Sequence, residues 1–151
     1  MYLRKTPSKR MVKQEHPLSC GAACARQLLL DDGIAKPEAE IREIALFSPD
    51  FGGIFCSPLA AALEQLGGGR RYRGAVIDPE WHEVLFENTP FVAMLADHWV
   101  IVDQIDDETV LVRDPAGLPG IDETVGFEGV MRRDVFEERW TLGIHQAVYR
   151  L

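Results

Sequence analysis

The residues best suited to chemistry lie in one short stretch, where a cysteine stands at the expected start of a helix. Cys20 follows Ser19, a residue type that often caps helices, and precedes Gly21 and a run rich in alanine and leucine that favours helix. The first helical turn presents unpaired N–H groups and the positive end of the macrodipole, which favour thiolate over thiol. Cys20 is therefore a candidate nucleophile.

Gln14 precedes this cysteine by a short loop, and its side-chain amide could help the Cys20 backbone N–H to stabilise an oxyanion. A plainer interpretation also fits. Cys20 and Cys24 are one helical turn apart and could both face a core, where free cysteines are often buried and inert. The stretch alone leaves both interpretations open.

A thiol nucleophile needs a base, and His98 is the best placed histidine in the sequence. It opens an apolar run, residues 98–102, that predicts a strand, and a hairpin through residues 106–108 would return the next strand to place Asp114 beside it. We expect that carboxylate to accept the Nδ1 proton, so that Nε2 faces the thiol. The alternative is a strand-end histidine beside an ordinary Asp-Pro turn. The other histidines lie in a loop, a polar helix and the last strand (His16, His82, His145).

The bulk composition limits the classes of function. The 151 residues suit one domain with a real core, and the formal net charge of −8 argues against a nucleic-acid partner. Residues 1–13 are basic, and we expect them to form a flexible arm ahead of a domain spanning residues 14–151. No apolar span suits a membrane helix, so no membrane insertion is expected.

The three cysteines are an odd number, and no signal peptide precedes them, so free thiols in a reducing compartment are expected. Cytoplasm is the expected location, with export as an effector by a signal-peptide-independent route as the alternative. The irregular cysteine spacing, without a CxxC pair, predicts neither a structural zinc site nor any other cofactor.

The predicted elements divide the chain into a helical half and a β half. Helices are expected over residues 20–31, 37–47 and 57–66. Strands are expected over residues 71–77, 91–95, 99–105, 109–113 and 144–149, with short helices at 79–87 and 133–140. The predicted fold is α+β, with an N-terminal helical half packed on an antiparallel sheet, as in papain-like folds.

These residues together resemble the C39 family of bacterial cysteine peptidases, the double-glycine leader peptidases of papain-like fold. Gln14 followed by Cys20-Gly21-Ala22-Ala23 resembles the family's glutamine-to-cysteine box, residues 98–102 its histidine strand, and Asp114-Pro115 its Asp-Pro motif. The resemblance extends over nearly the whole chain after the basic arm. It implies Cys20 as nucleophile, His98 as base and acid, Asp114 as orienter and Gln14 as oxyanion donor.

The resemblance also implies a substrate and partners. A peptide or protein cut after small residues such as Gly-Gly would need a narrow apolar tunnel, for which Trp99, Phe51 and Phe55 are the candidate walls. Members of the family are often fused to an ABC transporter, whereas this chain carries no membrane segment and is expected to act alone, with association with a transporter or secretion partner as the alternative. Two positions beside the site depart from the family pattern: Ser19, where many members carry aspartate, and Asp97, where glycine is common.

Three functions follow as hypotheses. The first is a cysteine peptidase that forms an acyl-enzyme at Cys20. The second is an effector or toxin of the same fold, acting as a protease, deamidase or acyl transferase on a host or rival protein. The third is a catalytically silent peptide-binding domain, against which the joint presence of Cys20, His98 and Asp114 argues.

Overall fold

The computed structural model describes residues 1–48 and 53–151, and its centre is a seven-stranded antiparallel sheet in the order β1-β6-β5-β4-β3-β7-β2. Neighbouring strands β3, β4 and β5 follow each other in the chain through short turns, so the middle of the sheet is built from local pairing. The strands are β1 (Arg4–Val12), β2 (Tyr72–Val76), β3 (Phe91–Leu95), β4 (His98–Ile105), β5 (Thr109–Asp114), β6 (Val125–Arg132) and β7 (Gln146–Arg150).

The helices are α1 (Cys20–Asp31), α2 (Glu38–Ile44), α3 (Cys56–Leu66), α4 (His82–Phe86) and α5 (Arg133–Leu142). A 3-10 turn, Pro79–Trp81, leads into α4. The bounds of α1 agree with the sequence-based prediction, and the others differ by a few residues at their ends. None of the helices in the described part of the chain combines the length and the apolarity needed to cross a membrane.

The sheet separates two hydrophobic cores, because successive strand residues point to opposite faces. On β4, Trp99 and Ile101 pack towards α1, α2 and α3, whereas Val100 and Val102 pack towards α4 and α5. The α+β fold predicted from the sequence, with the N-terminal helices packed on an antiparallel sheet, is confirmed.

The N-terminal arm differs from the expectation of flexibility. Residues 4–12 form the edge strand β1, which pairs with β6 from Arg4↔Val130 to Val12↔Val125. Only Ser8 and Met11 of this strand are buried, so it lacks the alternating apolar pattern by which strands are recognised. Charged residues and a proline are typical of edge strands, which gain backbone hydrogen bonds from one side only.

Candidate active site

Cys20 is the first residue of α1 and is 6% exposed. The preceding loop is held by Ser19, whose side chain was expected to cap the helix and is instead used within the loop. Its hydroxyl donates to the His16 carbonyl and accepts from the His16 N–H, both at 3.0 Å. The backbone N–H groups of the first helical turn stay without intrahelical acceptors, as at any helix start.

Strand β4 docks against the start of α1 through Trp99. The Trp99 backbone N–H donates to Cys20 Sγ at 3.3 Å, and the indole N–H donates to the Ile54 carbonyl at 3.0 Å. Gly21 permits this contact, since a Cβ there would lie 2.9 Å from Trp99 Cδ1. The sulfur of Cys20 and the first residue of β4 are thereby brought together.

That first residue is His98, and its Nε2 lies 2.6 Å from Asp114 Oδ1. The expectation that Nδ1 would face the carboxylate is wrong. Ile101 pairs with Arg113 across β4 and β5, so Asp114 lies diagonally from His98 and two positions along the strand. The nitrogen at the tip of the ring spans this diagonal, which leaves Nδ1 as the nitrogen available to Cys20.

The contacts of His98 determine its charge. Burial by itself lowers the pKa of His98, but hydrogen bonds and negative charge from Asp114 and Cys20 outweigh burial and raise that pKa to about 10. Burial raises the pKa of Asp114, and bonds from His98, Tyr2 and the Ala116 N–H more than compensate, so that the pKa falls below its usual value. His98 and Asp114 therefore form an imidazolium–carboxylate pair at neutral pH.

Sequence reasoning missed Tyr2, whose hydroxyl donates to Asp114 Oδ2 at 2.6 Å. Asp114 Oδ1 also accepts a 2.9 Å bond from the Ala116 N–H. The sequence could have indicated the Ala116 contact but not the Tyr2 contact. The Ala116 contact belongs to an ordinary Asp-Pro turn, whereas Tyr2 is 112 positions from Asp114 and stands in a stretch expected to be flexible.

The strand end that carries Asp114 is anchored by its neighbour Arg113, which is 1% exposed. Its guanidinium makes two bonds to Asp103, of 2.8 and 2.9 Å, and an ion pair of 2.9 Å with Asp31 at the end of α1. It also donates to the Arg10 carbonyl on β1 at 3.1 Å. One buried cation thus ties β5 to α1, β4 and β1.

A surface cavity of about 610 Å³ opens over Cys20, His98 and Asp114. One wall comes from the N terminus and from β6, and the other from the loop before α1. Its lining residues are Met1, Tyr2, Lys5, Pro17, Leu18, Cys20, Asp97, His98, Asp114, Ala116, Gly117 and Phe127. The cavity leaves the exposed edges of Cys20 and His98 open to a molecule from solvent.

Gln14 lies near this site, but its amide is used within the loop. Its Nε2 donates to the carbonyls of His16 at 3.0 Å and Pro17 at 2.9 Å, which engages both N–H groups. The Gln14 side chain lines a separate depression with Lys9 and Arg26. The structure therefore does not bring the Gln14 donors to Cys20, and the oxyanion role of Gln14 stays a prediction.

The candidate substrate walls are placed differently from the expectation. Trp99 is 1% exposed and packs beneath the cavity as part of the core, because its indole is held between α1 and the Ile54 carbonyl. Phe55 is 65% exposed at the start of α3 and stays a prediction as a substrate contact. Phe51 lies outside the described residues.

The remaining histidines and thiols lie apart from the pair. His82 and His145 pack against each other and Trp140 on the opposite face of the sheet, and His16 packs on Phe47. Cys24 is fully buried and donates to the Trp99 carbonyl at 3.5 Å. Burial and the charge of Cys20 raise the pKa of the Cys24 thiol well above its usual value. Across residues 1–48 and 53–151, no group of three or more His, Cys, Asp or Glu side chains is arranged to hold a metal ion.

Comparison with known proteins gives one family. The family model described as the peptidase C39 family matches residues 8–145. No curated protein matches the chain significantly.

Solved structures of similar fold include the following three. A double glycine motif protease from an AMS/PCAT transporter, solved in complex with the leader peptide, has a TM-score of 0.71 at 17% identity, covering 99% of this chain and 92% of that one. The peptidase domain of Streptococcus ComA, a bifunctional ABC transporter in a quorum-sensing pathway, has a TM-score of 0.71 at 19% identity, covering 93% and 96%. The Streptococcus mutans ComA peptidase domain has a TM-score of 0.62 at 18% identity, covering 94% and 98%.

Proposed function

This chain belongs to the C39 peptidase family, and on that premise we propose that it is a cysteine peptidase. Cys20 is the nucleophile in this proposal, His98 the acid and base, and Asp114 the residue that orients the imidazole. The observation that carries the proposal is one line of contacts. A cysteine at a helix start faces a histidine whose far nitrogen lies 2.6 Å from a buried carboxylate.

The reaction follows from these positions. The Cys20 thiolate attacks the scissile carbonyl, and the negative charge passes to the carbonyl oxygen beside the unpaired N–H groups at the start of α1. Imidazolium His98 then protonates the leaving amine as the C–N bond breaks, which leaves a thioester on Cys20. Neutral His98 takes a proton from water, the resulting hydroxide attacks the thioester, and the carboxylic acid product leaves with the thiolate restored.

Asp114 holds Nε2 and leaves Nδ1 to exchange the proton during this cycle. Its charge stabilises the imidazolium in the state that precedes attack. Gln14 could add a second oxyanion donor only by releasing the His16 or Pro17 carbonyl, since both of its N–H groups are engaged. The Cys20 backbone N–H is the donor that already stands at the thiol.

We extend the proposal to cleavage after small residues such as Gly-Gly, in a leader-bearing precursor. The support is the similarity to the transporter-derived double glycine motif protease that was solved with a leader peptide. Another similar structure is the peptidase domain of a bifunctional ABC transporter, so we propose a transporter or secretion partner for this chain. A leader helix would supply binding energy away from the cleaved bond.

The test uses a synthetic precursor, an amphipathic leader of about 20 residues ending in Gly-Gly and fused to a short reporter peptide. Release of the reporter is measured by mass spectrometry for this precursor and for one with Ala-Val in place of Gly-Gly. We expect kcat/KM to be at least about a hundredfold higher for Gly-Gly, because the proposed specificity requires a path to Cys20 too narrow for side chains at these positions. Cys20→Ala should release no reporter.

Equal values for the two precursors would overturn the Gly-Gly specificity. A mass increase of 1 Da on a glutamine of the substrate, without cleavage, would replace peptidase by deamidase. Binding of the precursor with no covalent chemistry would indicate a silent peptide-binding domain. Cleavage and deamidation are read from the same mass spectra, and binding of the precursor is measured separately by isothermal titration calorimetry.

A further inference from the structure

The hydroxyl of Tyr2 donates to Asp114 Oδ2 at 2.6 Å, on the side of the carboxylate opposite His98. We infer that Tyr2 is a positioning residue for the reaction: it holds the Asp114 carboxylate in the orientation that His98 requires. The inference rests on the proposed roles of Cys20, His98 and Asp114. It extends the line of contacts by one residue, to the N-terminal segment.

Tyr2 is held in place by its own packing. Its ring meets the Phe127 ring edge-on, with centroids 5.2 Å apart. It also lies over Gly129 of β6, where a Cβ would stand 2.6 Å from the Tyr2 ring. The next residue, Leu3, donates its N–H to the Val130 carbonyl at 2.8 Å. These contacts fix the position of the Tyr2 ring on β6 and direct its hydroxyl towards Asp114.

The carboxylate of Asp114 needs this partner because it is nearly enclosed, at 2% exposure. Oδ1 accepts from His98 and from the Ala116 N–H, whereas Oδ2 accepts from the Tyr2 hydroxyl. A buried carboxylate oxygen without a donor is costly, and the group would turn or take up a proton. Either response would weaken the bond to His98 Nε2.

Tyr2 is suited to act as a permanent donor. Burial and then the charge of Asp114 raise its pKa above the usual value of a tyrosine, so the hydroxyl keeps its proton at every pH at which the protein would work. The titratable and charged groups near the Tyr2–Asp114 pair come from several elements. They are His98 on β4, Cys20 and Cys24 on α1, Lys5 on β1, Arg113 on β5 and Arg139 on α5.

The first test removes only the hydroxyl. Tyr2→Phe keeps the ring on Gly129 and Phe127, and the rate of Cys20 alkylation by iodoacetamide is followed by peptide mapping from pH 4 to pH 8. We expect a rate about tenfold lower at pH 6, in line with the loss of a hydrogen bond to a charged group. Tyr149→Phe, in β7 towards the other edge of the sheet, is the matched control and should react at the wild-type rate.

The pH profile separates positioning from a general loosening of the fold. The Tyr2 bond lowers the pKa of Asp114, so without it Asp114 protonates at a higher pH and the acid limb of the alkylation profile moves to higher pH. A merely structural defect would reduce the rate by the same factor at every pH. An unshifted acid limb in Tyr2→Phe would overturn the inference.

A double-mutant cycle gives a second, independent measurement. If Tyr2 acts through Asp114, Tyr2→Phe should change the alkylation rate less than twofold in an Asp114→Asn background. Equal fold-losses in both backgrounds would overturn the inference even if Tyr2→Phe is less stable. Alkylation needs no peptide, so these results do not depend on the proposed Gly-Gly specificity. Even if the protein cleaves no Gly-Gly precursor, the experiment still shows whether the alkylation rate of Cys20 depends on Tyr2.

Discussion

His98 and Asp114 stand diagonally across β4 and β5, and the 2.6 Å bond between Nε2 and Oδ1 joins the start of one strand to the end of the next. The contact is made by Nε2, the ring nitrogen farther from the His98 backbone. It leaves Nδ1 as the ring nitrogen available to Cys20, whose sulfur accepts the N–H of the next residue, Trp99, at 3.3 Å. The order of importance of the three side chains can be measured.

Single substitutions should reduce kcat/KM in a definite order. Cys20→Ala should abolish cleavage of the Gly-Gly precursor, and His98→Ala should lower kcat/KM by about a hundred- to ten-thousandfold, the usual contribution of an acid–base group. Asp114→Asn should cost less than His98→Ala, because orientation is only part of the mechanism. Unchanged melting temperatures would serve as the control. Activity in Cys20→Ala would place the chemistry elsewhere.

The charge of His98 should be visible in the choice between two alkylating reagents. The pKa of His98 is raised from 6.5 to about 10, so the imidazolium is present at neutral pH and is lost as pH rises through about 10. Iodoacetate is anionic and should therefore react faster, relative to neutral iodoacetamide, below pH 9 than at pH 11. The ratio of the two rates at Cys20 is the measurement.

Asp114→Asn sharpens this experiment. It removes the charge and the acceptor that raise the pKa of His98, so the ratio should fall at a lower pH than in the wild type. A ratio that is flat from pH 7 to pH 11 in the wild type would contradict an imidazolium beside the thiol. Circular dichroism at each pH guards against unfolding.

Gly21→Ala should destabilise the protein although alanine favours helix. The new methyl would lie 2.9 Å from Cδ1 and 3.3 Å from Nε1 of the fully buried Trp99. We expect a loss of about 1–3 kcal/mol in the free energy of unfolding by urea, together with slower alkylation of Cys20, whose sulfur accepts the Trp99 N–H. Helix propensity alone would make Gly21→Ala more stable than the wild type. That result would show that Trp99 is not tightly packed against Gly21.

Ala96→Gly should stabilise the protein, in contrast to Gly21→Ala. Ala96 lies in the two-residue turn before His98 with φ of +59°, a conformation that glycine adopts at little cost. We expect a gain of about 1 kcal/mol in the free energy of unfolding. Ala75→Gly in strand β2 is the matched control and should lose stability. A loss for Ala96→Gly would show that the turn is not strained.

Much of the site could be predicted from local sequence. Cys20 at the start of α1 follows from helix propensity and from the residues that flank it, and the α1 bounds follow from the same signals. The proximity of His98 and Asp114 follows from a hairpin, because antiparallel pairing of neighbouring strands is set by turn position and alternation. These contacts depend on residues close together in the chain, where propensity and register carry the information.

Other features were decided only by the tertiary structure. Strand β1 has no apolar alternation, and it is ordered by hydrogen bonds to β6, more than a hundred residues away. Tyr2 reaches Asp114 through that pairing, and the ring nitrogen that meets Asp114 is set by the diagonal across the strands. The burial of Trp99 depends on the absence of a side chain at Gly21, and the use of the Gln14 amide depends on the path of its loop. Each is a matter of packing between distant segments, which composition and spacing along the chain do not encode.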